Sequence, residues 1–535
     1  MSNQPVKKQS FLHGAAVLAM ATLVVKVIGL FYKVPLGNVV GDAGYGYFTT
    51  AYDIYSVLLM ISTTGLPVAM SRMISESRAL GHTAQIRKIF RTALYAFLIL
   101  GLGGTLLMLV GAKWLASSVM NSPNSWIAIL CLSPAVLFIC IISAFRGFFQ
   151  GQSNMTPTSV SQVFEALCKL FIGLSLAWLF VERFSNVPLA AGGAILGVTV
   201  GCVVAMVFLF FRYRKAVRGD DFTAGPVKST RSTAKTLLSI AIPITLGAAG
   251  LQIINLADAA LNMHRLLDGL GMSQERADNL KGIYNFCQTI FNLPCAFITP
   301  ITISIIPAIT EHLTQNNRQG ARLVEHSALR IMSLIAMPCA VGLAVLSGPV
   351  LQLLRGYSGE QLVTGAGILS VLGVTVIFNS LVLTTNAIMQ AHGDVTTPVK
   401  HMLIGGVVKV AVNYWLVGLE EVNILGAAIG TLCCYACITG LNLLAMRRLD
   451  KKQRFPLMQL MFRPLAAAAI MGVVSFFAFR IFGRILPSAR LSCLAAVALG
   501  AAVYLGFSVL LRAITYEDCA LLPKGEKIAK ILKIR

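Results

Sequence analysis

Nine charged side chains occupy positions that an apolar chain does not give to charge without a reason. Lys26, Lys33, Lys169 and Lys409, with the acids Asp53, Glu165 and Asp258, lie inside long apolar runs; Arg72 and Arg146 stand at the ends of two such runs. A charge near the middle of a bilayer costs about 2.5–3.5 kcal/mol on insertion scales, so such residues face a wet cavity or a partner. Lys26 and Lys33 are seven residues apart and share one face of a helix. They suit an anionic ligand in a central cavity; the alternative, snorkelling to the interface, fits Lys33 better than Lys26. Glu165 and Lys169 are four apart, the spacing of an ion pair along one helix turn, which explains their presence with or without a functional role. Lys409 has no acid at helical spacing and is a cavity candidate. Asp53 and Asp258 either bind a coupling Na⁺ or H⁺ or neutralise a lysine, and four lysines against three acids favour neutralisation. Arg72 and Arg146 sit where many arginines are solvated or topogenic, yet a guanidinium fork also suits a phosphate.

Catalysis finds little support. The seven histidines are scattered and none forms HExxH; a Walker loop and a Gly-x-Ser-x-Gly elbow are both missing. Cys434-x-x-Cys437 has no second pair and no nearby histidine, and reads as small residues inside a helix. The composition points to neither an enzyme nor an ATPase, with no metal site and no cofactor.

These charges must be positioned by membrane helices. The chain has 535 residues, 56% hydrophobic and 12% charged, where soluble domains carry about 25% charge. Mean hydropathy is +0.76. Apolar runs long enough to span, ~20 residues each, occur near 11–36, 46–71, 89–111, 125–148, 157–181, 188–211, 236–262, 282–310, 327–347, 362–391, 398–418, 423–446, 458–482 and 488–512. The first two form a hairpin through a glycine-rich turn, Gly41 to Gly46. Lys7 and Lys8 ahead of Phe11 to Val25 resemble a signal peptide, but a second helix follows directly, so an uncleaved first span is expected.

Net charge +23 admits a nucleic-acid reading, but the distribution of the charge excludes it. With the N-terminus inside, 31 of the 44 Lys and Arg fall in inner segments and nine in outer loops, among them Lys281. The remaining four are Lys26, Lys33, Lys169 and Lys409. This bias predicts a multi-pass protein of the bacterial cell membrane with both termini cytoplasmic.

An internal repeat orders the spans. Gln150 to Pro157 leads to Lys169, and Gln390 to Pro398 leads to Lys409, with 19 residues from Gln to Lys each time at an offset of 240. Ile74-Ser75-Glu76 is echoed by Ile309-Thr310-Glu311, offset 235. Both echoed loops are expected inside, so the halves are parallel repeats. The expected fold is all-α and polytopic, with about 14 transmembrane helices in two six-helix lobes plus two extra C-terminal helices. Its parts are an N-lobe 1–211, a basic cytoplasmic linker 212–235, a C-lobe 236–446, an extra pair 447–512 and a basic amphipathic tail 513–535. That tail suits the anionic inner leaflet.

The hairpin Gly41-Asp-Ala-Gly-Tyr-Gly46…Ala51-Tyr-Asp-Ile-Tyr55…Thr64-Gly-Leu-Pro67…Ser71-Arg72…Ser75-Glu76 resembles the SpoVB-type polysaccharide-biosynthesis proteins. These belong to the MOP exporter superfamily, with MurJ lipid II flippases, Wzx-type flippases and MATE exporters. The resemblance continues through Arg146-Gly-Phe-Phe-Gln150, Asp258…Arg265 and Ile306-Pro307-Ala308-Ile-Thr-Glu311. It implies two lobes and an extra helix pair around a cationic cavity, and alternating access that moves an undecaprenyl-diphosphate-linked glycan outward. The functional arginine opening MurJ's Arg-Val-Leu-Gly motif matches Lys26 of Lys26-Val-Ile-Gly29. Two departures stand out: the acid early in MurJ's second span falls near Tyr47 or Phe48, and its Asp-Arg-x-x-Glu falls on the uncharged stretch Asn285 to Asn292.

The expected function is therefore a flippase for a lipid-linked saccharide precursor, lipid II or a related envelope glycan, driven by Na⁺, H⁺ or the membrane potential. Its partners would be that lipid-linked oligosaccharide and membrane lipids. The alternative is a MATE-like Na⁺- or H⁺-coupled exporter of organic cations, which calls for acids to dominate the cavity. A membrane-embedded glycan transferase would call for a large outer loop, and the longest expected here is 263–281.

Overall fold

The computed structural model describes residues 11–219, 223–449 and 457–513, which form helices joined by short connections, with no strand among the described residues. Expectations that rest on 1–10, 220–222, 450–456 and 514–535, including nearly all of the amphipathic tail, lie outside the described residues. The chain divides into two compact units, Met1–Gly282 and Ile283–Arg535. The first holds α1 (Phe11–Thr63), α2 (Gly65–Ala79), α3 (Thr83–Trp114), α4 (Trp126–Gly151), α5 (Thr156–Cys168), α6 (Leu174–Phe184), α7 (Val187–Gly219) and α8 (Thr230–His264). Helix α9 (Gln274–Thr314) starts in the first unit and continues in the second. The second unit adds α10 (Arg318–Val345), α11 (Ser347–Arg355), α12 (Gly359–Ala391), α13 (Thr396–Leu416), α14 (Leu425–Leu449), α15 (Leu457–Ile485) and α16 (Ala489–Leu510).

Helix covers each of the fourteen expected spans. Among the described residues, eleven stretches have the length and sustained hydropathy of a membrane crossing, and α9 and α13 are not among them. The first stretch, Met20–Ala79, has 60 residues. Straight, it would reach about 90 Å at 1.5 Å per residue, three times a hydrocarbon core of ~30 Å. It breaks instead at Gly41, where φ is 70° and ψ −174°. A positive φ of this kind costs glycine little and other residues more. A second break follows at Thr64, where Pro67 has no N–H to return to the preceding turn.

The expected turn from Gly41 to Gly46 is thus corrected: Gly41 alone leaves the helix, and 42–46 are helical. Gly46 is small for another reason. A Cβ there would stand 2.9 Å from the carbonyl oxygen of Asp278, so its absence lets α1 and the start of α9 meet backbone to backbone. The outer connection expected over 263–281 also shrinks. Helix α8 runs on through a π-helical turn, Arg265–Gly269, and α9 begins at Gln274.

Within the first unit, α4 packs between α3 and α7, and α1 lies against α4, α5, α7 and α8. The boundary suggested by the repeat and the boundary of compact packing differ, because α8 packs on α1, α2 and α3. Within the second unit, α12 packs on α10 and α14, and α15 joins α10. That last contact buries Met337, Ala467, Ala468, Met471 and Tyr504 together. The Tyr504 hydroxyl donates to the Leu334 carbonyl at 2.9 Å, which seats α16 as well. Ile99, Val110, Val407 and Trp415 remain exposed on helix faces, as lipid-facing side chains do.

The repeated loops share one geometry. After α4, Ser153 N bonds Gln150 O at 2.9 Å and Asn154 N bonds Phe149 O at 3.0 Å; after α12, Gly393 N bonds Gln390 O at 3.0 Å and Asp394 N bonds Met389 O at 3.0 Å. The positive φ falls at the matching residue, 60° at Ser153 and 87° at Gly393. The two sequence echoes also touch each other within each unit. Ser75 Oγ donates to Gly151 O at 2.8 Å, and Thr310 Oγ1 reaches Ala391 O at 3.3 Å.

Candidate functional site

The break at Gly41 folds α1 back on itself and sets Tyr32 and Lys33 on one segment, Phe48, Tyr52 and Asp53 on the other. On the second segment Tyr45, Phe48, Tyr52 and Tyr55 follow one another at intervals of three and four, so they form one aromatic face. Tyr32 and Phe48 are 5.8 Å apart by ring centroids, and Phe48 and Tyr52 are 4.9 Å apart. Tyr32 is fully buried, its hydroxyl donating to the Ala194 carbonyl at 3.1 Å.

Lys169 enters this face from α5. It opens a π-helical turn, Lys169–Gly173, that links α5 to α6 within one span. Such turns occur often at functional sites because they re-aim side chains. The Lys169 ammonium stands 4.6 Å from the Tyr52 ring centre, 4.9 Å from Tyr32 and 5.7 Å from Phe48, all within cation–π range.

The expected Glu165–Lys169 pair is corrected. Glu165 Oε1 instead accepts from Arg146 Nη2 of α4 at 2.7 Å. Arg146 also donates to Ser161 Oγ from Nε at 3.0 Å and from Nη2 at 2.9 Å, while Ser161 Oγ donates to Thr158 O at 2.7 Å. A planar fork serves two acceptors one turn apart on a neighbouring helix, which a lysine on their own helix cannot match.

Lys33 lies within electrostatic range of Asp53 and of Lys169. A further interior lysine joins them. Lys281, assigned from sequence to an outer loop, is 5% exposed and donates to Thr50 Oγ1 at 2.7 Å. It lies within electrostatic range of Asp53 and Asp278. Asp278 is itself buried and accepts from Ser122 at 3.0 Å and Gln274 at 3.2 Å. The first unit thus gathers Lys33, Asp53, Arg146, Glu165 and Lys169, and adds Lys281.

Lys26, two turns before Lys33 on α1, is exposed, as is Arg72 on α2. Asp258 is buried on α8 at 3% exposure. Lys409 is half-buried on α13 of the second unit, within electrostatic range of Tyr435. That unit's interior is polar in a different way. His401 Nδ1 meets Asn442 Oδ1 at 2.7 Å, and Asn442 Nδ2 donates to Thr385 and Asn386 at 2.8 Å each. Buried Glu325 meets His392 Nε2 at 2.7 Å.

Sequence reasoning missed Lys281 and the aromatic cage. The three-and-four spacing of the aromatics was a signal for the cage. For Lys281 there was none, since Arg276 and Asp278 beside it read as a solvated loop.

Comparison with known proteins extends these observations to the chain as a whole. A family model described as polysaccharide biosynthesis protein matches residues 11–313, and a MatE model matches 279–415. The Bacillus subtilis membrane protein YabM is 29% identical over 99% of this chain and 98% of its own length. Lipid II flippase MurJ of the same organism is 26% identical over 78% of this chain and 80% of its own. The solved inward closed structure of lipid II flippase MurJ superposes with a TM-score of 0.70 at 14% identity, covering 93% of this chain and 99% of that one.

Proposed function

Since the chain belongs to the polysaccharide biosynthesis protein family, we propose that it is a flippase that carries an undecaprenyl-diphosphate-linked saccharide precursor across the cell membrane by alternating access. The fold is that of MurJ and the MATE transporters, and the chain is a multi-pass membrane transporter rather than an enzyme. One observation carries the substrate reading. Lys33, Lys169 and Lys281 gather in the first unit with two acids in electrostatic range of them, Asp53 and Asp278, while Glu165 is matched by Arg146. A diphosphate would supply the charge such an interior attracts, while its prenyl tail stays in lipid. Lipid II or a related envelope glycan fits this chemistry, and relatives that carry MurJ's name support it. The two repeats would rock about the substrate, with both termini cytoplasmic and with Na⁺, H⁺ or the membrane potential as the drive.

The test is translocation of a fluorescent prenyl-diphosphate glycan by purified protein in proteoliposomes. Lys33→Ala and Lys169→Ala should each slow it roughly tenfold to a hundredfold, the equivalent of one lost charge-assisted contact of ~1.5–3 kcal/mol. Lys26→Ala, in which the exposed lysine matches the family's functional arginine, reports whether the substrate path extends two turns along α1. Full transport in both interior variants would overturn the reading. The second reading, an exporter of organic cations, has the MatE match in its favour; exchange of a cationic dye in the same vesicles, with no lipid movement, would establish it.

A further inference from the structure

The three rings around Lys169 form a site built for a cation, and the chain fills it with its own side chain. Tyr32 is 0% and Phe48 1% exposed, and their rings are held by each other, by Tyr52 and by the Tyr32–Ala194 hydrogen bond. Rings fixed in this way keep their faces converging whether or not an ammonium lies between them. The occupant is held by the ring faces. The nearest acid along its helix, Glu165, belongs to Arg146, and among the described residues Lys169 has no carboxylate within ion-pair distance and no hydrogen-bond acceptor. Cage walls of this kind offer electron-rich faces and few acceptors, which suits a cation that has no N–H to satisfy.

We propose that Tyr32, Phe48 and Tyr52 form a binding site for quaternary ammonium ions, that Lys169 is its built-in occupant, and that this occupancy keeps organic cations out of the first unit. Lys169 is then a specificity-determining residue. Rejection comes from an ammonium already in place, which both fills the space and repels a second positive charge. This holds independently of which lipid the protein carries.

The experiment uses the full chain in detergent and tetramethylammonium chloride as probe, with NaCl replaced so that ionic strength stays constant. Binding is read from tyrosine fluorescence and from the shift in unfolding midpoint. Lys169→Ala should bind the probe saturably and at least about tenfold more tightly than the parent protein, the order of a desolvated cation–π contact. Lys169→Ser opens the same space and should show the same gain, so the result does not depend on one variant folding. Lys169→Met refills the cage with an uncharged chain and should show no gain. Adding Tyr52→Leu to Lys169→Ala should abolish the gain. Equal responses in the parent and both opened variants, or no response in opened variants that elute and unfold like the parent, would overturn the proposal. Failure here leaves lipid translocation untouched, and failure of lipid translocation leaves the cage untouched.

Discussion

Removing Arg146 should cost more than its hydrogen bonds, because of what it leaves behind. Glu165 would keep a charge in an interior where its side chain is 24% exposed, and Arg146 itself is 11% exposed. Breaking a buried pair from one side typically costs 3–5 kcal/mol, most of it the burial of the surviving charge. Partial solvent access at Glu165 places Arg146→Met near the bottom of that range, about 3 kcal/mol, with the methionine keeping the packing of the arginine stem. Glu165→Gln should cost less, about 1–2 kcal/mol, because Arg146 keeps Ser161 and an amide oxygen. The double variant leaves neither charge and should be more stable than Arg146→Met alone. The coupling should be on the order of 1–3 kcal/mol, measured by equilibrium unfolding in mixed micelles across all four proteins. If the two losses simply add, to within about 0.5 kcal/mol, the surviving charge was never the cost and this account of the pair is wrong.

Three further outcomes follow from the repeated loops. Ser153→Gly should stabilise the first loop by roughly 0.5–1 kcal/mol, and Gly393→Ala should destabilise the second by about as much, since both sites hold a positive φ; unfolding midpoints that move the other way would contradict the geometry. Ser75→Ala should cost about 1 kcal/mol and Thr310→Val less, because the Thr310 hydroxyl, 3.3 Å from Ala391 O, also bonds Ile306 O at 2.8 Å; hydrogen exchange at the ends of α4 and α12 reads both. Asp394 accepts from Thr397 and Thr396 at the start of α13, and these bonds hold its carboxyl below the usual range. A depressed folded value means that its contribution, a few tenths of a kcal/mol for a carboxylate screened by solvent, is complete above the ordinary carboxylate range near pH 4 and is lost as pH falls through the lower folded value. Asp394→Asn should remove that acid-side loss while keeping most of the stability at neutral pH.

The spans were legible because long apolar runs leave few alternatives, and the repeat was legible because its loops kept their turn residues. The misreadings concern residues whose reason lies on another helix. Glycines 41, 44 and 46 read as a turn, yet Gly46 is there for the approach of Asp278, more than two hundred residues away. Glu165 and Lys169 read as neighbours on one helix, and local spacing cannot announce that an arginine from α4 will take the acid. Lys281 read as a loop residue because its flanks are polar, while its partner Thr50 lies on α1. Periodicity reports which face a residue shares, and close packing decides which partner it meets.

The offset of 240 that relates the two loops also relates what lies beside them. It carries Arg146 to Asn386, Ser161 to His401, Glu165 to Gly405 and Cys202 to Asn442. In the first unit these positions hold a charged network of arginine, serine and glutamate. In the second they hold a network in which Asn442 joins His401 to Asn386, with no formal charge when the histidine is neutral. A buried polar group is tolerated only with its partners present, so exchanging one network for another requires several coordinated changes. The loops, by contrast, kept their hydrogen bonds and their positive φ. The joint between the fourth and fifth helices thus recurs in sequence and geometry in each half, while the polar network beside it differs. The caged lysine and the Arg146 network belong to the first half, and the offset carries Lys169 to Lys409 in the second.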